Sequence, residues 1–349
     1  MTLKGMTVNA AERLPLPDSI TRAGIGWLVG TTRRNIALRS DAEQDEAAFV
    51  RDMVRHPIAA HADKANAQHY ELPPEFFALA LGPRRKYSCC WYQTPQDTLA
   101  QAEVNAIERT VANADLHDGQ RVLELGCGWG SLSLFMAERY PASSITAVSN
   151  SRPQREHIMA EAKARGLSNL QVITADMNDF STDGRFDRVV SVEMFEHMSN
   201  WTALLARVRD WLADDGRLFL HVFTHRSTPY RFDHGDDADW IAQHFFTGGI
   251  MPSHGMLAHF HDFQIEADWR WSGEHYARTA EHWLLNFDRE IDAIKRVLHH
   301  TYGAQASLWQ RRWRLFFLAT SGLFGHAGGD EWGVSHYRLR KAPLTPSRR

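Results

Sequence analysis

Residues 121–130 read Arg-Val-Leu-Glu-Leu-Gly-Cys-Gly-Trp-Gly, a short apolar run that breaks into glycines at every second position. Val122, Leu123 and Leu125 suit a strand covered on both faces. Gly126, Gly128 and Gly130 let the chain turn sharply and approach a ligand with no Cβ in the way. Helical spacing resumes at once over Ser131–Arg139, so the motif is a strand, a tight turn and a helix.

The same alternation extends outward. Strands are expected at Arg121–Gly126, Ser144–Ser149, Gln171–Asp176, Phe186–Val192 and Arg217–Phe223, with helices at Ser131–Arg139, Arg152–Ala164 and Trp201–Leu212 between them. Short Val-, Ile- and Leu-rich strands alternating with helices predict an α/β fold with a mostly parallel sheet covered on both faces. A last strand at Trp332–Leu339 would close it as an antiparallel edge. Upstream, Thr98 and Gln101 cap a helix running towards Ala112.

Two positions choose the ligand of the glycine turn. A dinucleotide site needs an acidic residue at the end of the second strand for the ribose hydroxyls, but that strand ends Ala147-Val148-Ser149-Asn150. The third ends Ala175-Asp176-Met177, where a carboxylate can accept from an adenine amine and a thioether can cover the ring. The third glycine also comes one residue early for a dinucleotide fingerprint. The combination predicts S-adenosylmethionine (SAM) as cofactor and a Rossmann-like class I methyltransferase fold. The competing reading, an ordinary tight turn, leaves Asp176-Met177 as coincidence.

Beyond this core the chain is less regular. Residues 1–68 are expected to form an N-terminal helical extension, with Ser40 and Glu43 at capping-box spacing, that packs on the core or on a second copy in a homodimer. The methyltransferase domain then covers 69–349. Within it, 226–262 mixes Gly, Asp, His and aromatic residues without a period, as a substrate lid or insertion does. Helices follow near Ala280–His299 and Ser307–Leu323. Trp240, Phe245, Phe246, Trp269 and Trp271 read as core or lid aromatics.

Bulk properties narrow the function. A net charge of −3 supplies no field for nucleic acid or an anionic membrane. Cys89, Cys90 and Cys127 are an odd set and no disulfide framework. With no export signal or membrane-length apolar run, a soluble, cytoplasmic protein is expected. The 19 histidines lack metal-site spacing, so no metal is expected.

Several separated motifs resemble the cyclopropane-fatty-acid synthase superfamily of SAM-dependent methyltransferases, and within it the coclaurine-type N-methyltransferases most closely. They are Tyr70-Glu71-Leu72-Pro73, Tyr87-Ser88-Cys89-Cys90, the glycine turn, Ser151-x-x-Gln154, Phe195-Glu196-His197-Met198, Gly248-Gly249-x-x-Pro252-Ser253, His275-Tyr276-x-x-Thr279 and Glu331-Trp332. The resemblance runs from about His69 to Ala342. It implies that Tyr87, Ser88, Gly126 and Gly128 meet the methionine end of the cofactor, that Gln154 reaches the ribose, and that Asp176 and Met177 hold the adenine. S-adenosylhomocysteine would be the product.

The resemblance further implies that Glu196 and His197 face the methyl group. An aliphatic amine, with a pKa of about 10, is mostly protonated at neutral pH, and a carboxylate beside a neutral imidazole can bind the ammonium and take its proton. Glu71 would add an anionic contact to the substrate. The cyclopropane branch instead holds a bicarbonate ion, and its contacts fall on Cys89, Glu196, His221 and Tyr276, with Trp129 also of that type. The paired cysteines and the ending Glu331-Trp332-x-x-Ser335-His336 resemble the amine branch. The expected activity is methyl transfer to the nitrogen of a small amine. The alternatives are C-methylation or cyclopropanation of an unsaturated acyl chain, which would bring membrane contact, and a non-catalytic SAM-binding scaffold.

Overall fold

The computed structural model describes residues 12, 14, 16–38, 41–60, 72–232 and 239–343. Among the described residues, α1 (Asp18–Ala37) and α2 (Ala42–Met53) come first, followed by α3 (Pro74–Ala80) and α4 (Leu99–Asn113). Thr98 and Gln101 form a complete capping box on α4. The expected capping box of α2 is replaced: Asp41 is the N-cap and accepts from the Gln44 N–H, while Ser40 lies outside the described residues.

The alternating part runs β1 (Arg121–Leu125), α5 (Ser131–Arg139), β2 (Ser144–Ser149), α6 (Arg152–Ala164), β3 (Leu170–Thr174), β4 (Phe186–Val192), α7 (Trp201–Trp211) and β5 (Leu212–His225). A two-residue strand pair, β6 (Tyr230–Arg231) and β7 (Ile250–Met251), flanks the short α8 (Trp240–His244). The chain ends through β8 (Phe263–Ser272), α9 (Gly273–Arg289), α10 (Ile291–Tyr302), α11 (Ala306–Phe324) and β9 (Trp332–Lys341). The main sheet has the order β3-β2-β1-β4-β5-β9-β8, parallel through β5 and antiparallel beyond it.

β9 is antiparallel as expected, but it is flanked on both sides, and β8 forms the outer edge. β8 escapes a sequence reading because charged Glu266, Asp268 and Arg270 alternate with aromatics on an exposed edge, and a bulge between Ile265 and Ala267 breaks the period. The helix expected over 280–299 is two, α9 and α10. The chain leaves the helical region at Glu290, with neither Pro nor Gly to mark the break.

β1 and β4 are neighbours, with β2 and β3 to one side and β5 to the other, so the strand order reverses between them. Such a reversal opens a crevice at the carboxyl ends of the strands. The glycine turn after β1 and the turn after β4 both face it. The N-terminal helices pack on the core: Arg22 pairs with Glu281 at 2.6 Å, Asp18 with Arg314 at 2.5 Å and Arg33 with Glu331 at 2.5 Å. α2 also clasps the 226–262 segment, where Glu46 accepts from the Ser253 hydroxyl at 2.6 Å and Arg231 lies over the Phe49 ring. Among the described residues no helix is long and apolar enough to cross a membrane.

Candidate active site

The glycine turn is built as its residues require. Gly126 (φ +79°) and Gly128 (φ +51°) occupy left-handed backbone. The Gly126 and Cys127 N–H groups both donate to the Val148 carbonyl, which draws the turn against β2. A Cβ on Gly126 would lie 2.5 Å from the Met194 side chain, whereas one on Gly128 would project into open space. That open space is the crevice.

About 1230 Å³ of space, part of it open to solvent, lies between its walls. All seven cofactor candidates line it: Tyr87, Ser88, Gly126, Gly128, Gln154, Asp176 and Met177. Gln154 makes the fit specific. Its Oε1 accepts from the Ser149 hydroxyl at 2.7 Å, and its Nε2 is buried with no partner. A buried amide donor facing a cleft is costly unless a ligand accepts from it, and a ribose hydroxyl is an acceptor of the kind it needs. Asp176 caps its own turn through the Asn178 N–H at 2.7 Å. The residues present therefore suit SAM. Glu124, at the end of β1, also lines the cleft, and burial pushes its carboxyl up to about 7 despite a 2.5 Å bond from the Ser133 hydroxyl.

Another wall of the cleft follows β4. Residues 193–197 are Glu-Met-Phe-Glu-His, and Phe195–His197 form one 3-10 turn. This turn sends the two glutamates in different directions. Glu193 lines the cleft together with His197. Glu196 is fully buried and does not: its Oε1 accepts from the Phe223 N–H at 2.6 Å, while Oε2 has no hydrogen-bonding partner. Burial and the neighbouring Glu193 charge push the Glu196 carboxyl well above the usual range, which favours its neutral form. His197 packs against Phe246 with ring centroids 4.2 Å apart, and burial lowers it to about 4, leaving a neutral imidazole.

Glu193 is the residue the sequence reading passed over, and three candidates converge on it. Its Oε1 accepts from the Cys89 N–H at 2.8 Å and faces His221 Nε2 at 3.1 Å. Its Oε2 accepts from the Tyr276 hydroxyl at 2.6 Å. Cys89, His221 and Tyr276 thus stand behind Glu193 rather than on the cleft wall. Glu193 has φ +47°, an uncommon backbone for a residue with a long side chain. Such outliers persist where the surroundings over-determine them. Burial raises the Glu193 carboxyl, and the charge of the nearby Lys86 pulls it back down. Lys86 is itself almost fully buried, donating to the Ser88 hydroxyl and the Cys89 carbonyl.

Cys89 and Cys90 are buried thiols pushed upward by desolvation, Cys90 to about 12, which disfavours the thiolate that a nucleophile needs. Glu71 lies outside the described residues. Among those described, no group of His, Cys, Asp or Glu is arranged to hold a metal ion. The N-terminal extension reaches the cleft, where Ala59 and Ala60 line it.

Fold and cleft together define the class: a Rossmann-like, SAM-dependent methyltransferase. Residues 59–327 match the family described as mycolic acid cyclopropane synthetase, and the chain belongs to that family. It is similar to an (S)-coclaurine N-methyltransferase of Thalictrum flavum subsp. glaucum, with 36% identity over 290 residues, 81% of this chain and 80% of the relative. A pavine N-methyltransferase of the same plant is 32% identical over 84% of each chain. The crystal structure of coclaurine N-methyltransferase bound to N-methylheliamine and SAH superimposes with a TM-score of 0.91, at 31% identity, covering 96% of this chain and 98% of that one.

Proposed function

We propose that this protein transfers the methyl group of SAM to the nitrogen of a small, coclaurine-like amine, with Glu193 and His197 facing that nitrogen. The carrying observation is the Glu193 carboxyl with its three partners, the Cys89 N–H, His221 Nε2 and the Tyr276 hydroxyl. Under the acyl-chain reading, Cys89, His221 and Tyr276 help hold a loose bicarbonate ion. Here the groups at those positions already hold an oxyanion that the chain supplies itself. A fixed buried carboxylate on the cleft wall suits a cationic substrate, and it leaves these three groups no free position for a separate bicarbonate ion.

When bound, SAM supplies an electrophilic methyl on a sulfonium. The residues supply the rest. Glu193 binds the ammonium form of the amine, and a proton passes from its N–H to the Glu193 carboxylate oxygen, leaving a nitrogen lone pair aligned with the methyl. Burial raises Glu193, which makes it a stronger base than a surface carboxylate. The neutral His197 imidazole offers a second acceptor, its ring fixed against Phe246. Phe246 and Thr247 come from the 226–262 segment, which acts as the lid in this reading. A small freely diffusing substrate and three unpaired cysteines fit a cytoplasmic site of action.

Incubation with methyl-labelled SAM and either (S)-coclaurine or unsaturated phospholipid vesicles, with and without dissolved carbonate, tests the proposal. Label should enter the amine at a rate that rises with pH and ignores carbonate. Carbonate-dependent label in the phospholipid would overturn it, and label in neither would leave the scaffold reading.

A further inference from the structure

Behind Glu193 runs a line of buried polar groups that leads away from the cleft. β5 and β9 pair in the register that sets His221 opposite His336, and both side chains are fully buried. His336 Nε2 is 2.8 Å from His221 Nδ1, and His221 Nε2 is 3.1 Å from Glu193 Oε1. At the far end, Nδ2 of Asn113, the half-buried last residue of α4, lies 2.9 Å from His336 Nδ1. The path is unbroken from the helix end to the carboxylate.

The chemistry of each link fixes a direction. An amide nitrogen only donates, so His336 Nδ1 accepts and its one proton sits on Nε2. That proton is donated to His221 Nδ1, which places the His221 proton on Nε2, facing Glu193. An ionised carboxylate also needs a donor at that position, so both ends demand the same tautomers. Two neutral imidazoles are required, and burial together with the Lys86 charge holds both well below the usual histidine value.

We propose that Asn113, through His336, sets the tautomer of His221 so that Glu193 is held as an anion ready for the ammonium group of the substrate. Asn113 and His336 are then positioning residues, and the inference rests on the reading of Glu193 given above. Two buried histidines joined only as packing would need no such order, because either tautomer fills the same space. The titratable and charged groups facing Glu193 are Lys86, Cys89, Glu196, His197, His221 and Tyr276. Those facing His336 are His221, Lys86 and Arg109.

The test is Asn113→Asp, a near-isosteric change at a half-buried position. A carboxylate only accepts, so the His336 proton moves to Nδ1, the His221 proton moves to Nδ1, and a lone pair then faces Glu193. Nitrogen-15 NMR of histidine-labelled protein reads both tautomers without any substrate. The pH profile of kcat/KM for (S)-coclaurine reads Glu193. We expect inverted tautomers, a midpoint raised by about one unit or more, and about tenfold lower kcat/KM at pH 7 that recovers in alkali. Asn113→Leu, which removes the donor and supplies no acceptor, should give mixed tautomers and a smaller shift. Wild-type tautomers in both variants, or in Asn113→Leu alone if the other does not fold, would overturn the inference. Inverted tautomers with an unmoved pH profile would support the relay and remove Glu193 from its proposed role.

Discussion

Replacing Glu193 by Gln removes a charge and a base while keeping the shape. The glutamine oxygen can keep the Cys89 N–H and His221 donors, and its amide can donate to the Tyr276 hydroxyl, which turns to accept. No cavity opens. Burial raises the Glu193 carboxyl, so its share of stability is full below the unfolded value and is lost as pH rises through the folded value. Glutamine has no such loss, and the variant should melt no lower than the wild type at pH 8. Catalysis should respond differently. A hydrogen bond to a charged partner is worth about 1.5–3 kcal/mol, roughly a tenfold to hundredfold weaker hold on the ammonium. Loss of a positioned base costs about 10²–10⁴-fold. The two overlap, since one carboxylate serves both, so kcat/KM for (S)-coclaurine at pH 7 should fall by about 10²–10⁴. Near pH 10, where about half the amine is already free base, the deficit should shrink to roughly tenfold. Labelled methyl transfer across pH 6–10, beside thermal melts, measures each part. A variant within about threefold of wild type at pH 7, with the same profile, would refute the assignment.

Other expectations follow from the same geometry. Gly128→Val adds bulk where a Cβ meets only the open cleft, and Val is strained at φ +51°. Calorimetry should show SAM affinity down about tenfold or more, with the fold retained. Gln154→Leu and Asp176→Ala should each weaken SAM binding by about 1–2 kcal/mol if they hold the ribose and adenine; unchanged affinity for both would count against the cofactor pose. Burial raises Glu124 to about 7, so its stabilising share is present below its unfolded value and lost as pH climbs through 7. Urea unfolding of Glu124→Gln should gain on the wild type between pH 5 and pH 8, by about 2–3 kcal/mol, and equal gaps at both pH values would contradict this. Finally, amides in 226–232 and 239–262 should exchange faster than those of the sheet in the apoprotein and slow when SAH and (S)-coclaurine bind together. Uniform protection without ligand would make the segment fixed structure and no lid.

Much of this architecture is written locally. The strands flanking the glycine turn carry both the buried apolar run and the punctuation that ends it, so β1 to β4 and the cofactor wall were readable. β8 was not, because an edge strand is half solvated and its charges obey the requirements of an edge. The two glutamates of residues 193–197 show a different limit. Glu196 stands beside His197 in the motif, which drew attention to it, but one 3-10 turn buries its carboxyl under β5. Glu193 had a usable signal: it is the first residue past the carboxyl end of β4, at the place where the strand order reverses. His336 and Asn113 had none, since their link to the site depends on β9 pairing with β5, a contact between distant parts of the chain.

Residues 56–60 join the N-terminal helices to one wall of the cleft through five hydrogen bonds. Asn178 exchanges two with Ala59, the Ile58 carbonyl receives the N–H groups of Ser199 and Asn200, and the Asn200 amide reaches the His56 carbonyl. Asn178 adjoins Asp176 and Met177 and Ser199 adjoins the 3-10 turn of Phe195–His197, so a single short strap is stitched to two walls of the cleft. Ala59 and Ala60 of the strap line the cleft itself. A chain without residues 1–60 would therefore be a leaky one. It would keep its Rossmann layers yet exchange cofactor faster than the whole chain, a difference that stopped-flow displacement of a fluorescent cofactor analogue can time.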